Sequence, residues 1–518
     1  APNGGTRDSL APKFLGSNID TTRLNVSRTV KELRLDFDEY VMLKDFNKNF
    51  NVSPPIKKIK KVIPSNLANK YVLIQWEDTL QANTTYNFNF GNAIVDNNES
   101  NPLPYFNFAF STGDKIDDLF VSGTVKDAMT LIKENQTAKD NKMVVGLYKA
   151  GENLDYKQKP DYITKVDEEN YFELNFLPKG EFVIIAFDDE NQNSVYDAGK
   201  EKVSFLKEKI TLDSTSVRGL KLKLYPSKKV VKYKESKAIN GGLLMTFEGN
   251  PETVEVKSLS EELKDFKVTH AKRSDSVNIW FDAEKSNLGG TVSKQLKLSY
   301  FTPTISDTIS VSYKAVKDEF KLSNEAGNLI APENNFVINT SLPIENLNTS
   351  SWKLESDSIA QDFTAKISEK NPFKILVNSS FKPTKKYVLT IPKETVSSYY
   401  SSNDKSFQFQ FEIDKPENYG SFTAVIKNKP TAKFWVELTN EKGEILYSQF
   451  TNASEVSFKN LKPATYIARI RVDNNGNGFW DEADFAQNIA AEDVYIFEKE
   501  INVRPLWEIK EDWELTNR

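Results

Sequence analysis

Three stretches of this chain set aromatic rings at every second position: Tyr86-Asn87-Phe88-Asn89-Phe90, Phe106-Asn107-Phe108-Ala109-Phe110 and Phe407-Gln408-Phe409-Gln410-Phe411. Successive side chains of an extended strand point to opposite faces, so this period gathers the rings on one side of a sheet. A helix would scatter the same rings around its circumference. Shorter runs of the same kind occur at 296–300, 309–313 and 434–438. The most helical segment, 259–266, places Leu259, Leu263 and Phe266 on one face and predicts a turn or two of helix. Strands at short spacing, punctuated by Asn, Asp, Gly and Pro, predict an all-β fold. A chain of 518 residues is too long for one core, and its 34 Phe and 20 Tyr can fill several.

The chain also repeats itself. Leu80, Tyr86, Phe88 and Phe90 return 301 positions later as Phe381, Tyr387, Leu389 and Ile391, and Phe106, Phe108 and Phe110 return as Phe407, Phe409 and Phe411. A second repeat has an offset of 284. It carries Phe172, Leu174, Leu177 and Phe182 onto Val456, Phe458, Leu461 and Tyr466. The same offset carries Asp189, Asn191, Asn193, Tyr196 and Asp197 onto Asp473, Asn475, Asn477, Trp480 and Asp481. The expected organisation is an elongated tandem array of about five β-sandwich modules: 1–115, 116–226, 227–315, 316–415 and 416–518. The fourth repeats the first, the fifth repeats the second and ends in a C-terminal strand, and the third has the weakest signature.

Gly4, Gly5 and Asp8 lead into a module with Leu35-Asp36-Phe37-Asp38-Glu39, Asn83-Thr84-Thr85-Tyr86 and a closing Phe110-Ser111-Thr112-Gly113-Asp114. This module resembles the bacterial Ig-like domain of the S-layer-associated type found in Bacteroidota envelope lipoproteins. The next, from Val121-Ser122-Gly123-Thr124-Val125 to Leu177-Pro178-Lys179-Gly180 and 187–193, resembles a transthyretin-like, carboxypeptidase-regulatory-type sandwich. The resemblance covers about 1–226 and implies an Ig-like first module and a transthyretin-like second; the repeats carry these folds to the fourth and fifth modules, and the third is expected to be a β-sandwich of Ig-like type. It further implies a lipidated cysteine shortly before the Gly-Gly segment and a tether to the outer membrane, with the cell surface as the expected side. A chain that starts at Ala1 reads as a mature or trimmed product.

Composition removes most familiar catalysis. Without cysteine there are no disulfides, thiolate zinc sites, iron–sulfur clusters or cysteine nucleophiles. The single histidine, His270, has Asp275 and Ser276 nearby in sequence but no nucleophile elbow. No sugar-cleaving carboxylate motif stands out among the 73 acidic residues. A net charge of −5 gives no field for nucleic acid, and no apolar run reaches the length of a membrane-spanning helix. No catalytic residue is assigned, and the chain is expected not to be an enzyme.

The remaining signals are local. Asp189, Asn191, Asn193 and Asp197 stand at positions 1, 3, 5 and 9 of one loop; Asp473, Asn475, Asn477 and Asp481 do so in its repeat, with Asp484 at position 12. Alternate oxygen donors on a curling loop suit calcium, which takes six to eight oxygens, while the same residues also build ordinary hairpin turns. Tyr196 and Trp480 in these loops either stack on a ligand or fill the loops' own small cores. Asp-Ser/Thr followed by a small or aliphatic residue occurs seven times, with hydroxyls at Ser9, Thr21, Thr79, Ser214, Ser276, Thr308 and Ser358, where composition alone gives about two. The pattern is similar to the O-glycosylation signal of exported Bacteroidota proteins; its plain alternative is turn initiation. Lys57, Lys58, Lys60 and Lys61 either meet an anionic surface or protect an edge strand. Trp507 and Trp513 mark either a docking segment or a last paired strand. The reading that follows is a scaffold or accessory subunit of an outer-membrane machine for β-barrel assembly, secretion or import. Its expected partners are an outer-membrane β-barrel protein or other envelope proteins. The competing class is a surface module or adhesin for glycan or matrix ligands.

Overall fold

A computed structural model describes residues 8–132 and 142–516. Almost all regular structure in it is strand. The helical pieces among the described residues are the four-residue Phe46–Asn49 and the 3-10 turn Pro416–Asn418. The helix predicted at 259–266 is absent: Leu263 is fully buried, but the segment forms turns between Glu255–Ser258 and Lys267–Thr269. Eight residues are too few to repay helix nucleation, so a turn buries Leu263 and half-buries Phe266 while Leu259 stays exposed.

By compactness the chain forms two units, one of 8–228 with 470–498 and one of 229–469 with 499–516. The first unit opens with a sandwich. One sheet runs Phe14–Ser17, Glu32–Leu43, Asn69–Trp76, Ile59–Ile63, and the other Asn51–Ser53, Thr85–Gly91, Phe106–Ser111. The alternating rings do what their period requires: Phe88, Phe90, Phe108 and Phe110 are buried against Leu33, Leu35, Val72, Ile74 and Trp76 of the facing sheet. Each such ring removed from water contributes about 1.5–3 kcal/mol. Lysine-rich Ile59–Ile63 is the edge strand of its sheet, with Lys60 and Lys61 exposed.

The second sandwich of this unit pairs a three-stranded sheet (Tyr171–Leu177, Leu119–Asp127, Val217–Leu224) with a sheet ordered Tyr162–Lys165, Met143–Lys149, Gly180–Asp188, Val203–Phe205. Val217–Leu224 runs parallel to Leu119–Asp127 and approaches closely enough that a Cβ on Gly123 would meet the Leu220 carbonyl oxygen at 2.1 Å. Along Gly180–Asp188, Phe182, Ile184 and Ala186 face the sandwich core, while Ile185 and Phe187 face outward and are equally buried. That outward burial positions the candidate site.

In the second unit, the stretch 229–315 supplies sheets ordered Lys232–Ile239, Gly242–Glu248, Ser276–Trp280, Lys267–Thr269 and Glu255–Ser258, Lys294–Phe301, Ser306–Tyr313. In the stretch that follows, Lys386–Ile391 pairs with Phe407–Ile413. The repeat of 301 extends to register here: Tyr86 faces Phe110 and Phe88 faces Phe108, as Tyr387 faces Phe411 and Leu389 faces Phe409. Both copies fasten the preceding turn alike. The Gln81 amide donates to Tyr86 Oη (2.9 Å) and the Lys382 amide to Tyr387 Oη (2.8 Å). Asn83 and Thr384 hold the same left-handed backbone, at φ 48° and 66°.

The repeat of 284 is likewise a repeat of topology. Gly420–Lys427 lies between Glu455–Leu461 and Glu508–Glu514, the latter parallel to it. The second sheet is ordered Ile445–Thr451, Phe434–Thr439, Ala464–Val472, Val494–Ile496, with Ile501–Val503 also on Ala464–Val472. The last strand buries Trp513 and leaves Trp507 half exposed in the turn before it, so this segment is a paired strand within the sandwich.

Candidate functional site

Each repeated loop leaves the end of a long buried strand, Gly180–Asp188 or Ala464–Val472, and must turn without a sheet partner for its amides. Its own side chains take that role. Asp189 accepts the amides of Asn193 (3.1 Å) and Ser194 (3.0 Å), and Asp473 accepts those of Asn477 (3.1 Å) and Gly478 (2.9 Å). Asn191 and Asn475 share the Asn193 and Asn477 amides, accepting them at 3.2 and 3.1 Å, and Asn193 and Asn477 accept those of Val195 and Phe479 at 2.8 and 2.9 Å. Positions 4 and 6 are left-handed in both copies: Gln192 and Ser194 at φ 56° and 62°, Gly476 and Gly478 at 69° and 83°.

Sequence reasoning assigned no role to the residue that closes each loop. Glu201 accepts the amides of Glu190 (3.1 Å) and Asp197 (2.8 Å); Glu492 accepts those of Asn475 (3.1 Å) and Asp481 (2.9 Å). Both glutamates are nearly buried. Burial raises the carboxyl pKa of each above the ordinary glutamate range, and neighbouring carboxylates add to it: Asp189 and Asp197 at Glu201, Asp481 and Asp473 at Glu492. The shared offset hid this pair, because Glu492 stands eleven residues after Asp481 while Glu201 stands four after Asp197. Asp484, expected at position 12, takes a different part. It accepts the Gln487 amide (3.2 Å) and exchanges backbone bonds with Ile489 in a tight hairpin.

That hairpin lies within the insertion and packs on the second sandwich of the first unit. Ala483 accepts from the Lys228 amide (2.8 Å) and donates to the Pro226 carbonyl (3.0 Å). Phe485 sits edge-on among Tyr156 (4.6 Å between ring centroids), Phe205 (5.2 Å) and Tyr196 (5.8 Å). Together they cover the outward face made by Val144, Tyr148, Ile185, Phe187 and Val203. Tyr196 is therefore a packing residue, its hydroxyl pushed up to about 12 by burial. Trp480 donates from Nε1 to the Glu492 carbonyl (3.2 Å) and lies beside Tyr225 and Arg471.

Among the described residues, no group of three or more His, Asp or Glu side chains is arranged to hold a metal ion. The loop oxygens are arranged as acceptors for their own backbone. The seven hydroxyls at Ser9, Thr21, Thr79, Ser214, Ser276, Thr308 and Ser358 all lie on exposed residues, where a bulky modification fits. His270 Nε2 contacts the Ser274 carbonyl oxygen at 2.8 Å, so this ring nitrogen is engaged by backbone. Lys57 and Lys58 direct their amides to Asp78 and leave their side chains to solvent.

Sandwich modules with structural loops and closed cores define a multi-domain β-sandwich protein. Residues 8–112 match the bacterial Ig-like domain family. No curated protein matches the chain. Among solved structures, it is similar to the S-layer protein rSbsC(31-844) at 12% identity, covering 95% of this chain and 67% of that one with a TM-score of 0.16. A Bacteroides ovatus protein of a mixed-linkage glucan utilization locus, SGBP-B, in complex with a heptasaccharide, aligns at 10% identity over 67% of this chain and 89% of its own (TM-score 0.20). The major pilin subunit of Bacillus cereus, BcpA, aligns at 11% over 77% and 99% (TM-score 0.14). Overlaps of this size assign no ligand, partner or location to the chain.

The two loops make the same left-handed demand at position 6 and meet it with different residues. Ser194→Gly relieves a left-handed serine and should stabilise the first loop by up to about 1 kcal/mol, while Gly478→Ala should destabilise the second by at least about as much. Thermal unfolding of the two variants, shifted in opposite directions, is the expected result.

Proposed function

We propose that this chain is a non-catalytic scaffold or accessory subunit of an outer-membrane protein machine, tethered by an N-terminal lipid and facing the cell surface. The observation that carries the reading is the use made of the second loop. Its insertion is spent on joining parts of the fold through Ala483 and Phe485, as expected of a protein whose work is to hold surfaces together. The Ig-like match over 8–112 and the exposure of all seven Asp-Ser/Thr hydroxyls support an exported module of this kind. Its partner in this reading is a β-barrel protein of the outer membrane. Purification of the tagged chain from envelopes in mild detergent should recover such a barrel in near-stoichiometric amount. Recovery of the chain alone, together with selective polysaccharide capture on a glycan array, contradicts the scaffold and supports a glycan-binding module.

Calcium is a second proposal, for the loop of Asp473, Asn475, Asn477 and Asp481 before that of Asp189, Asn191, Asn193 and Asp197. It rests on the oxygen-bearing side chains at positions 1, 3, 5 and 9 of a curling loop. A ligand at 100 times its Kd adds about 2.7 kcal/mol to stability. Chelator should therefore lower the unfolding temperature of the chain, and the Asp473→Ala, Asp481→Ala double variant should lose that response. An unfolding curve indifferent to chelator removes calcium from the account.

A further inference from the structure

The repeat of 284 treats one sheet edge in opposite ways in its two copies. In the first copy the outer strand is Tyr162–Lys165, with Tyr162 opposite Leu147 and edge-on to Phe182 (6.0 Å between ring centroids). In the second it is Ile445–Thr451, with Tyr447 opposite Leu438 and edge-on to Tyr466 (5.8 Å). Tyr162 and Tyr447 are therefore counterparts, as are Ile163 and Ser448, and Lys165 and Phe450. The first edge is covered. Val166 donates inward to the Met143 carbonyl, and Ile163, an odd number of residues earlier, donates outward to Ser53 Oγ (3.4 Å) of the preceding sandwich. Tyr162 and Ile163 are buried.

The second edge is bare. Five of its seven residues are exposed, and no described strand pairs with its outer side. By the repeat, its outward backbone groups belong to Ser448 and Phe450. Charged side chains ordinarily keep such an edge from pairing with another molecule. Ile59–Ile63 has Lys60 and Lys61 in that role, Lys232–Ile239 has Lys232 and Lys234, and Ser306–Tyr313 has Asp307. Ile445–Thr451 has no charge at all. Where the covered copy has Lys165, the bare one sets a half-exposed Phe450 against Trp435 (4.6 Å).

We propose that Ile445–Thr451 is a pairing edge, where a second copy of the chain adds its own Ile445–Thr451 antiparallel across a two-fold axis at Gln449. The edge is regular from Tyr447 to Thr451 and shifts register before Tyr447, so its regular part is centred on Gln449. About that axis Ser448 and Phe450 of one copy face Phe450 and Ser448 of the other, which joins the outward backbone groups and lays each ring against a small side chain. Tyr447 meets Thr451, and further out Leu446 meets Asn452. No like charges face each other at any of these positions, a condition that the lysine-bearing edges fail and that an isologous contact requires. A charge-free edge also gives a charged partner nothing to select. This inference does not depend on the scaffold reading.

The test uses the full chain. Sedimentation equilibrium over a concentration series should show a monomer–dimer equilibrium. Phe450→Lys, which restores the residue of the covered copy, and Ser448→Pro, which removes an outward amide, should each weaken it about tenfold or more. Gln449→Cys places two thiols on the axis, with Cα atoms about 4.5 Å apart, and should give a disulfide-linked dimer on a non-reducing gel. Thr308→Cys, on the edge strand Ser306–Tyr313, should stay monomeric. Circular dichroism establishes the fold of each variant; should Ser448→Pro fail to fold, Phe450→Lys carries the comparison. A chain monomeric throughout, an association indifferent to these substitutions, or a Gln449→Cys that links no better than Thr308→Cys overturns the proposal.

Discussion

Everything in this molecule rests on the burial of one face of alternating strands. Phe88, Phe90, Phe108 and Phe110 pack against Leu35, Ile74 and Trp76, while the opposite positions, such as Asn87 and Asn89, serve hydrogen bonding along the sheet. Burial worth about 25 cal/mol per Å² of apolar surface must outweigh backbone ordering of about 1–2 kcal/mol per residue, so no strand holds without its facing sheet. Because a one-residue slip would turn every ring to solvent, the pattern fixes register as well as fold. Duplication preserves this: Tyr387 and Phe411 stand opposite each other as Tyr86 and Phe110 do.

The second sandwich type adds a constraint that the first lacks. Gly180–Asp188 is apolar on both faces, with Ile184 turned to the core and Ile185 and Phe187 turned outward, so its outer face requires a cover of its own. The cover comes from the second copy of the acidic loop. In both loops an aspartate, two asparagines and a distant glutamate collect backbone amides that no strand satisfies, which gives a turn rigid enough to present a hairpin. In this way a duplicated turn acquired a packing role through a short insertion, with its hydrogen-bond ring intact.

Much of this was legible in the residues. Period-two rings gave the strands, and constant offsets gave the repeats down to paired partners, because both are properties of backbone geometry written in local sequence. The acidic loops were legible as loops, since Asp and Asn at alternate positions have few other uses. Glu492 was not, because a side chain that closes a ring from eleven residues away leaves no periodic trace. Nor was Phe485, whose partners Tyr156, Tyr196 and Phe205 are hundreds of residues earlier in the chain. Trp507 and Trp513 looked alike in sequence; only the parallel pairing of Glu508–Glu514 with Gly420–Lys427 separates an exposed turn residue from a buried strand residue.

The central claim is that the hairpin of the second loop sits on the second sandwich of the first unit, and a chain without cysteine allows a direct test. Ala483 and Ser227 are bridged neighbours, and paired strand residues lie within the roughly 4.4–6.8 Å between Cα atoms that a disulfide spans. The Ser227→Cys, Ala483→Cys variant, oxidised in air and run on a non-reducing gel, should give a compact monomer band that reducing agent abolishes. Two thiols that stay free and react fully with maleimide after oxidation would contradict the account.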